Sequence, residues 1–295
     1  MKNTPIIIIG AGRSGTNILR DSICALRGFE TWPCDEINYI WRHGNVGHPT
    51  DRFTDAEARN SVRTYITEEF EKLERKTGAN YVVEKTCANS LKIPFINSIF
   101  PDARFIYLVR NGYDVASSAK QRWTASLELK YIFAKAKYIP FADIPYYGWR
   151  YLGNRLKKLF SKENRLAFWG PIYPGMMEDL KTHSLLQVCS KQWRECAVTA
   201  YKDLSALDKS RVHCLTYEQF VSDPVAEMKK VMQFIGEDFS DDELASAISD
   251  VSPRSIGNYR KYISQEELDS IADLIEPTMD SIHKRIHNDS VSKVS

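Results

Sequence analysis

The chain opens on Ile6-Ile7-Ile8-Ile9-Gly10-Ala11-Gly12-Arg13-Ser14-Gly15-Thr16-Asn17, a bare apolar run that breaks into a glycine-rich turn. A helical pattern resumes at once in Ile18-Leu19-Arg20-Asp21-Ser22-Ile23. A strand that turns tightly into a helix gathers free backbone N–H groups at the positive end of a helix dipole, and that is an anion site. Two familiar phosphate loops can be tried on it. A Walker A loop has the glycine spacing of Gly10 and Gly15, but Thr16 stands where its lysine belongs and Asn17 where its hydroxyl belongs, so it fails. The dinucleotide fingerprint fits literally at Gly10, Gly12 and Gly15, with Glu30, Asp35 or Glu36 as the downstream ribose ligand. That match alone leaves an NAD(P)-binding Rossmann oxidoreductase open.

Three further stretches narrow the choice. Arg104-Phe105-Ile106-Tyr107-Leu108-Val109-Arg110 is an apolar strand ending in arginine, and Ser118 follows eight positions later on the next predicted helix. A guanidinium fork suits a phosphate dianion bidentately, and neither a Walker kinase nor a nicotinamide enzyme needs such a device. Tyr81-Val82-Val83-Glu84-Lys85-Thr86 is another strand with a basic residue at its end. Val212-His213-Cys214-Leu215-Thr216-Tyr217-Glu218-Gln219-Phe220 leads through Asp223-Pro224 into a helix ending at Gly236. With Arg13-Ser14-Gly15-Thr16-Asn17, these elements resemble the sulfotransferases that use 3′-phosphoadenosine 5′-phosphosulfate (PAPS), releasing 3′-phosphoadenosine 5′-phosphate (PAP). In motif style they are closest to bacterial carbohydrate and tyrosylprotein-type enzymes. The resemblance spans residues 5–120 and 183–262.

The resemblance implies roles residue by residue. Thr16 and Asn17, with the backbone of Ser14 and Gly15, hold the 5′-phosphate. Arg110 and Ser118 hold the 3′-phosphate, and Tyr217 packs near the adenine. Arg13 and Lys85 neutralise the bridging and sulfonyl oxygens, and Arg260 and Lys261 belong to a basic loop that closes over the nucleotide. Sulfonyl transfer gathers less negative charge than phosphoryl transfer, so arginine and lysine can take the place of a magnesium clamp and no metal is expected. A hydroxyl acceptor needs a general base. Related carbohydrate and tyrosylprotein enzymes carry a glutamate in the loop after the first helix, where this chain has Cys34-Asp35-Glu36-Ile37. Glu36 matches that position best, and Asp35 is the alternative. The phenol and steroid branch uses a histidine after the third strand, and none stands there. His43 and His48 read as loop histidines near the acceptor side.

Composition sets the class. At 295 residues and 43% hydrophobic, the chain can bury one large core, and a net charge of +2 gives no global attraction to nucleic acid. Cys24, Cys34, Cys87, Cys189, Cys196 and Cys214 are dispersed without a Cys-x-x-Cys pair, as expected of free thiols in a reducing compartment. The first apolar run is too short for a leader, and none approaches a membrane span, so a cytoplasmic protein is expected.

Alternating strand and helix patterns predict an α/β fold. It has three layers, α/β/α, around a central mostly parallel sheet, which is the P-loop-like architecture of the resemblance. Strands are expected at 5–10, 29–33, 80–84, 104–109 and 211–216. Helices are expected at 16–27, 55–77, 88–99, 112–122, 183–207, 224–236, 241–249 and 264–287. Capping boxes at Thr54–Glu57, Ser240–Glu243 and Ser264–Glu267 start three of them. One domain spans 1–295, with a loose tail at 288–295 and a helical acceptor-side insertion over about 124–182. The insertion mixes aromatics (Tyr131, Phe133, Tyr138, Phe141, Tyr146, Tyr147, Trp149, Tyr151) with lysines and arginines. Aromatic faces with basic partners suit a carbohydrate, glycolipid or acidic peptide. The function expected is sulfonyl transfer from PAPS to a hydroxyl or amine of a small-molecule acceptor, carbohydrate or glycolipid first. A protein that binds PAP or PAPS without transferring is the other alternative.

Overall fold

The computed structural model describes residues 4–124, 138–149 and 169–291. Five parallel strands form the sheet: β1 (Ile6–Ile9), β2 (Phe29–Glu30), β3 (Tyr81–Lys85), β4 (Arg104–Val109) and β5 (Val212–Thr216), in the order β2-β3-β1-β4-β5. The four isoleucines of β1 are fully buried because both faces of the strand are covered, which is why the run shows no alternation. Ile7 and Ile9 join Phe105, Tyr107 and Val109 on one face, and Ile6 and Ile8 join Val83, Ile106 and Leu108 on the other.

Helices cover each face. On the first lie α3 (Asn60–Thr77), α4 (Ile93–Ile99), α5 (Gly112–Thr124), α7 (Leu185–Leu204) and α11 (Gln265–Val291). On the second lie α1 (Thr16–Cys24), α8 (Tyr217–Ser222), α9 (Pro224–Ile235) and α10 (Asp241–Ala247). The short α2 (Asn38–Trp41) and α6 (Met176–Thr182) complete the described helices that bear on the argument. This is the expected three-layer fold. β1 sits between β3 and β4, so the chain leaves it in both directions across the sheet. In such sheets the ligand crevice lies beyond the carboxyl ends of the strands at that switch point. Gly10, Lys85 and Arg110 all stand there.

Several boundaries differ from expectation, each for a physical reason. The Thr54 box caps only the 3₁₀ turn Asp55–Glu57: the backbone leaves helical dihedrals at Ala58 (φ −85, ψ 53), and α3 starts at Asn60. The helix expected at 88–99 divides into a 3₁₀ turn at Cys87–Leu91 and α4, since Pro94 cannot donate to, and would clash with, the turn before it. The strand at 29–33 shrinks to two residues, and α2 forms where a loop was expected. An unanticipated capping box, Ser184 with Gln187, starts α7 two residues later than expected. The tail is helical as far as Val291. Of the insertion, 125–137 and 150–168 lie outside the described residues. All six cysteines are free thiols. No helix among the described residues is long and apolar enough to cross a membrane.

Candidate active site

The loop after β1 is built on unusual backbone. Gly15 takes φ 90 and Arg13, alone among the described non-glycine residues, a positive φ of 75. A Cβ on Gly10 would lie 2.7 Å from both Leu108 O and Thr16 Cγ2, so β4 and α1 approach the turn as closely as they do only because glycine is there. Gly15 holds the N-cap position of α1 and offers no side chain, so no side chain caps that helix. Ser14 and Thr16 are buried under the loop, and Thr16 Oγ1 lies 3.9 Å from Cys87 Sγ.

Lys85 ends β3 inside this crevice with 4% exposure. Its ammonium donates to Glu36 Oε1 at 3.2 Å and Asp35 Oδ1 at 3.4 Å. Burial pulls its pKa down, but Glu36 foremost, with Cys87 and Asp35, outweighs that and holds it above the ordinary lysine value. The backbone N–H of Cys87 donates to the same Glu36 oxygen at 3.3 Å. Asp35 is tied elsewhere as well: Asn17 Nδ2 donates to its carboxylate and Arg20 Nη1 to its carbonyl. The loop is pinned from below by Thr86, whose hydroxyl accepts from Ile37 N and donates to Glu84. Thr31, Trp32, Cys34 and Ile37 line a narrow recess with these acids and Lys85.

Arg110, 8% exposed at the end of β4, donates to Arg13 O at 3.2 Å and to Ser255 O and Oγ at 2.8 and 3.1 Å. Its guanidinium lies 4.2 Å from the centroid of the Tyr217 ring, and Tyr217 Oη is 2.7 Å from Ser255 Oγ. Arg110 Nε is buried with no partner among the described residues. A buried, unspent donor in a pocket where Arg110 and Arg122 crowd Arg13 fits an anionic ligand; burial first, then those two guanidiniums, lower the Arg13 pKa. Arg13 Nε donates to Ser118 Oγ at 2.9 Å, so its side chain turns toward the expected 3′-phosphate element as well as bounding the 5′ loop.

Most expected site residues therefore converge: Arg13, Ser14, Gly15, Thr16, Asn17, Asp35, Glu36, Lys85, Arg110, Ser118 and Tyr217. Arg260 and Lys261 are exposed on the 3₁₀ turn Asn258–Lys261, and Arg260 folds back over the Tyr259 ring at 4.6 Å. That turn is fastened to α5 by Asp114, which accepts from Gly257 N and Tyr259 N at 2.8 and 3.0 Å. The sequence reading missed Asp114, although its i,i+4 spacing from Arg110 was a usable signal. His48 is spent on its own loop, 2.9 Å from Thr50 O, and His43 Nδ1 lies 2.8 Å from Asp143 Oδ2.

The sequence profile of the sulfotransferase family matches residues 5–139 and 173–241. No curated protein matches the sequence significantly. The fold is similar to a sulfotransferase from Alicyclobacillus acidocaldarius, with TM-score 0.55, 13% identity and 97% of each chain covered. It is also similar to the sulfotransferase domain of the curacin biosynthetic pathway (0.52, 16% identity, 97% of this chain and 98% of that one). A third likeness is to mouse sulfotransferase SULT7A1 complexed with PAP (0.51, 14% identity, 99% and 90%). At these identities the structural likenesses speak for the fold. The profile covers most of the chain and spans all four of the motif stretches around which the crevice is built: the chain belongs to the sulfotransferase family.

Proposed function

We propose that this protein transfers the sulfonyl group of PAPS to a hydroxyl acceptor, a carbohydrate or glycolipid first, with Glu36 as general base. The observation that carries the reading is the buried Lys85 ammonium held between Asp35 and Glu36 beside the glycine-rich loop. PAPS would supply an activated sulfonyl group and a phosphate leaving group. Arg110 and Ser118 would grip the 3′-phosphate, and Ser14, Gly15, Thr16 and Asn17 the 5′-phosphate, with Tyr217 supporting Arg110 from below. Glu36 would take the proton of an acceptor hydroxyl, while PAPS bound there would supply the sulfonyl group and, in its 5′-phosphate oxygen, the leaving group that keeps the electron pair. Lys85 and Arg13 would neutralise the negative charge that gathers on the bridging and sulfonyl oxygens, where a fixed cation in a water-poor site is most effective.

The test is calorimetric titration with PAP beside ADP, AMP and NAD, with Arg110→Ala as control. Tight binding to PAP alone, lost in the variant, supports the reading, and a preference for NAD would sink it. PAPS consumption is then followed across an acceptor panel. Turnover that survives Glu36→Gln removes Glu36 from the mechanism. No turnover with any acceptor, despite PAP binding, would favour a binding protein.

A further inference from the structure

Residues 169–173 form an arm fastened at two buried points. Gln192, 5% exposed on α7, donates from its amide nitrogen to Trp169 O and Pro171 O, both at 2.8 Å. Gly170 between them takes φ 71, and a Cβ there would stand 3.1 Å from that nitrogen, so the turn and the amide fit because the residue is glycine. Two residues on, Asp51 N donates to Ile172 O at 2.7 Å, and Ile172 N donates to Asp51 Oδ2 at 2.8 Å. The other Asp51 oxygen accepts from Arg42 at 2.9 Å and from Asn38, two residues beyond Glu36, at 3.2 Å. Removing one charge from so buried a pair would strand the other, so the anchor is firm. The arm and the stretch that follows the base therefore share it.

The arm delivers an indole to the phosphate loop. The place a Cβ of Gly12 would occupy lies 3.3 Å from Trp169 Cη2, 3.7 Å from Trp169 Cζ3 and 3.9 Å from Cys87 Sγ. The edge of the ring thus rests on bare backbone. Cys87 is the residue whose N–H holds Glu36, and it lies buried with Ser14, Thr16 and Lys85 around the loop. Trp169 itself is half-buried. The family profile includes Gly12 and Cys87 but passes over 140–172, so the loop is common to the family and the indole upon it is this chain's own addition.

We propose that Trp169 is a specificity-determining residue that acts against water: its indole covers the Gly12 side of the loop and keeps solvent from the Lys85–Glu36 pair. This rests on the sulfotransferase reading and deepens it. A carboxylate beside an ammonium does not distinguish water from an alcohol, so the distinction has to come from the shape and dryness of the approach. Were water to reach Glu36, its oxygen would bond to sulfur and its proton would pass to Glu36. The bond from sulfur to the 5′-phosphate oxygen would break with its electron pair on that oxygen, giving PAP and sulfate.

The experiment incubates the full chain with PAPS and no acceptor and follows the sulfate released. Trp169→Ala is expected to raise this hydrolysis by at least about tenfold while PAP affinity by calorimetry stays within about twofold. Trp169→Phe, which keeps an aromatic ring on Gly12, should stay near the wild type. A second readout needs neither turnover nor truncation. In a Trp149→Phe background, where the side chain replaced is 83% exposed, Trp169 is the one tryptophan that is not buried. Acrylamide quenching of its fluorescence should fall when PAP is added, and Trp149→Phe/Trp169→Phe should lose that response. Unchanged hydrolysis in Trp169→Ala, or quenching indifferent to PAP, overturns the proposal. A parallel loss of PAP affinity does so as well, by making Trp169 a nucleotide-binding residue. Wild type that fails to bind PAP sinks the sulfotransferase reading itself, whereas PAP binding with unchanged hydrolysis sinks this inference alone.

Discussion

The Lys85 ammonium sits 3.2 Å from Glu36 Oε1, joining the end of β3 to the loop between β2 and α2. Because Lys85 is 4% exposed, the pair lies where water screens it little. Under the proposed mechanism, an acceptor hydroxyl that reached Glu36 would arrive beside a fixed cation.

Removing the cation tests this directly. Lys85→Met is expected to lower turnover by about a hundredfold or more, the usual cost of one oriented charge-stabilising donor. PAP affinity should fall far less, because the phosphates are assigned to other residues. PAPS consumption against a fixed acceptor, with calorimetry on PAP alongside, separates the two effects. A parallel collapse of both would make Lys85 a binding residue.

Arg110 makes the opposite prediction. Its guanidinium spans Arg13 O, Ser255 and the Tyr217 face at once, which a lysine ammonium cannot do. Arg110→Lys should weaken PAP binding by about tenfold to a hundredfold and bring it close to ADP, since a bidentate charge-assisted contact is lost. Ser255→Ala should weaken PAP less and should show little further loss on top of Arg110→Lys, because the two act together.

What the sequence disclosed and what it hid follow from range. Gly10, Lys85 and Arg110 were legible because each ends a strand, and strand order in a parallel sheet brings such ends together. The contacts of Ser255 and Asp114 were not, since Ser255 meets Arg110 and Asp114 meets Gly257 from far along the chain, and the spacing of Asp114 from Arg110 was the one local signal. The buried cluster beneath α2 was equally hidden. Lys92 is wholly buried, donates to Asn38 Oδ1 at 2.8 Å and lies 3.6 Å from Asp51, which also pairs with Arg42 at 2.9 Å. As a sequence, Lys92 looks like any surface lysine. The family profile passes over 140–172, within the stretch of about 124–182 expected as an insertion.

Glu84 should give the protein a pH-dependent stability. It is wholly buried, and burial pushes its pKa up to about 7, against hydrogen bonds from Thr86 and the charge of Lys85 that favour ionisation. The folded state thus holds a proton that the unfolded chain releases near the ordinary carboxylate value. Its contribution is complete below that value and is lost as pH rises through about 7. Between about pH 5 and pH 8 this group should remove up to about 3 kcal/mol of stability. Glu84→Gln should flatten that slope while lowering stability throughout, because the amide cannot accept from both Thr86 and Asn89. Denaturant midpoints across the pH range check this, and an unchanged slope would show that Glu84 titrates normally.

Gly15 ties the loop to the rest of the site, and its replacement is the sharpest test of the loop's geometry. At φ 90 any L side chain is strained, by about 1–2 kcal/mol for alanine. The added Cβ would also overlap the Tyr217 ring, which cannot retreat because Arg110 lies on it and Ser255 holds its hydroxyl. Gly15→Ala should therefore abolish measurable PAP binding and lower stability by more than the strain alone. Adding Tyr217→Ala should relieve the overlap but not the φ strain, so stability should partly return while PAP affinity does not. Paired unfolding and titration measurements on the single and double variants decide it: full recovery of both would mean that the left-handed turn at Gly15 has no part in holding the phosphate.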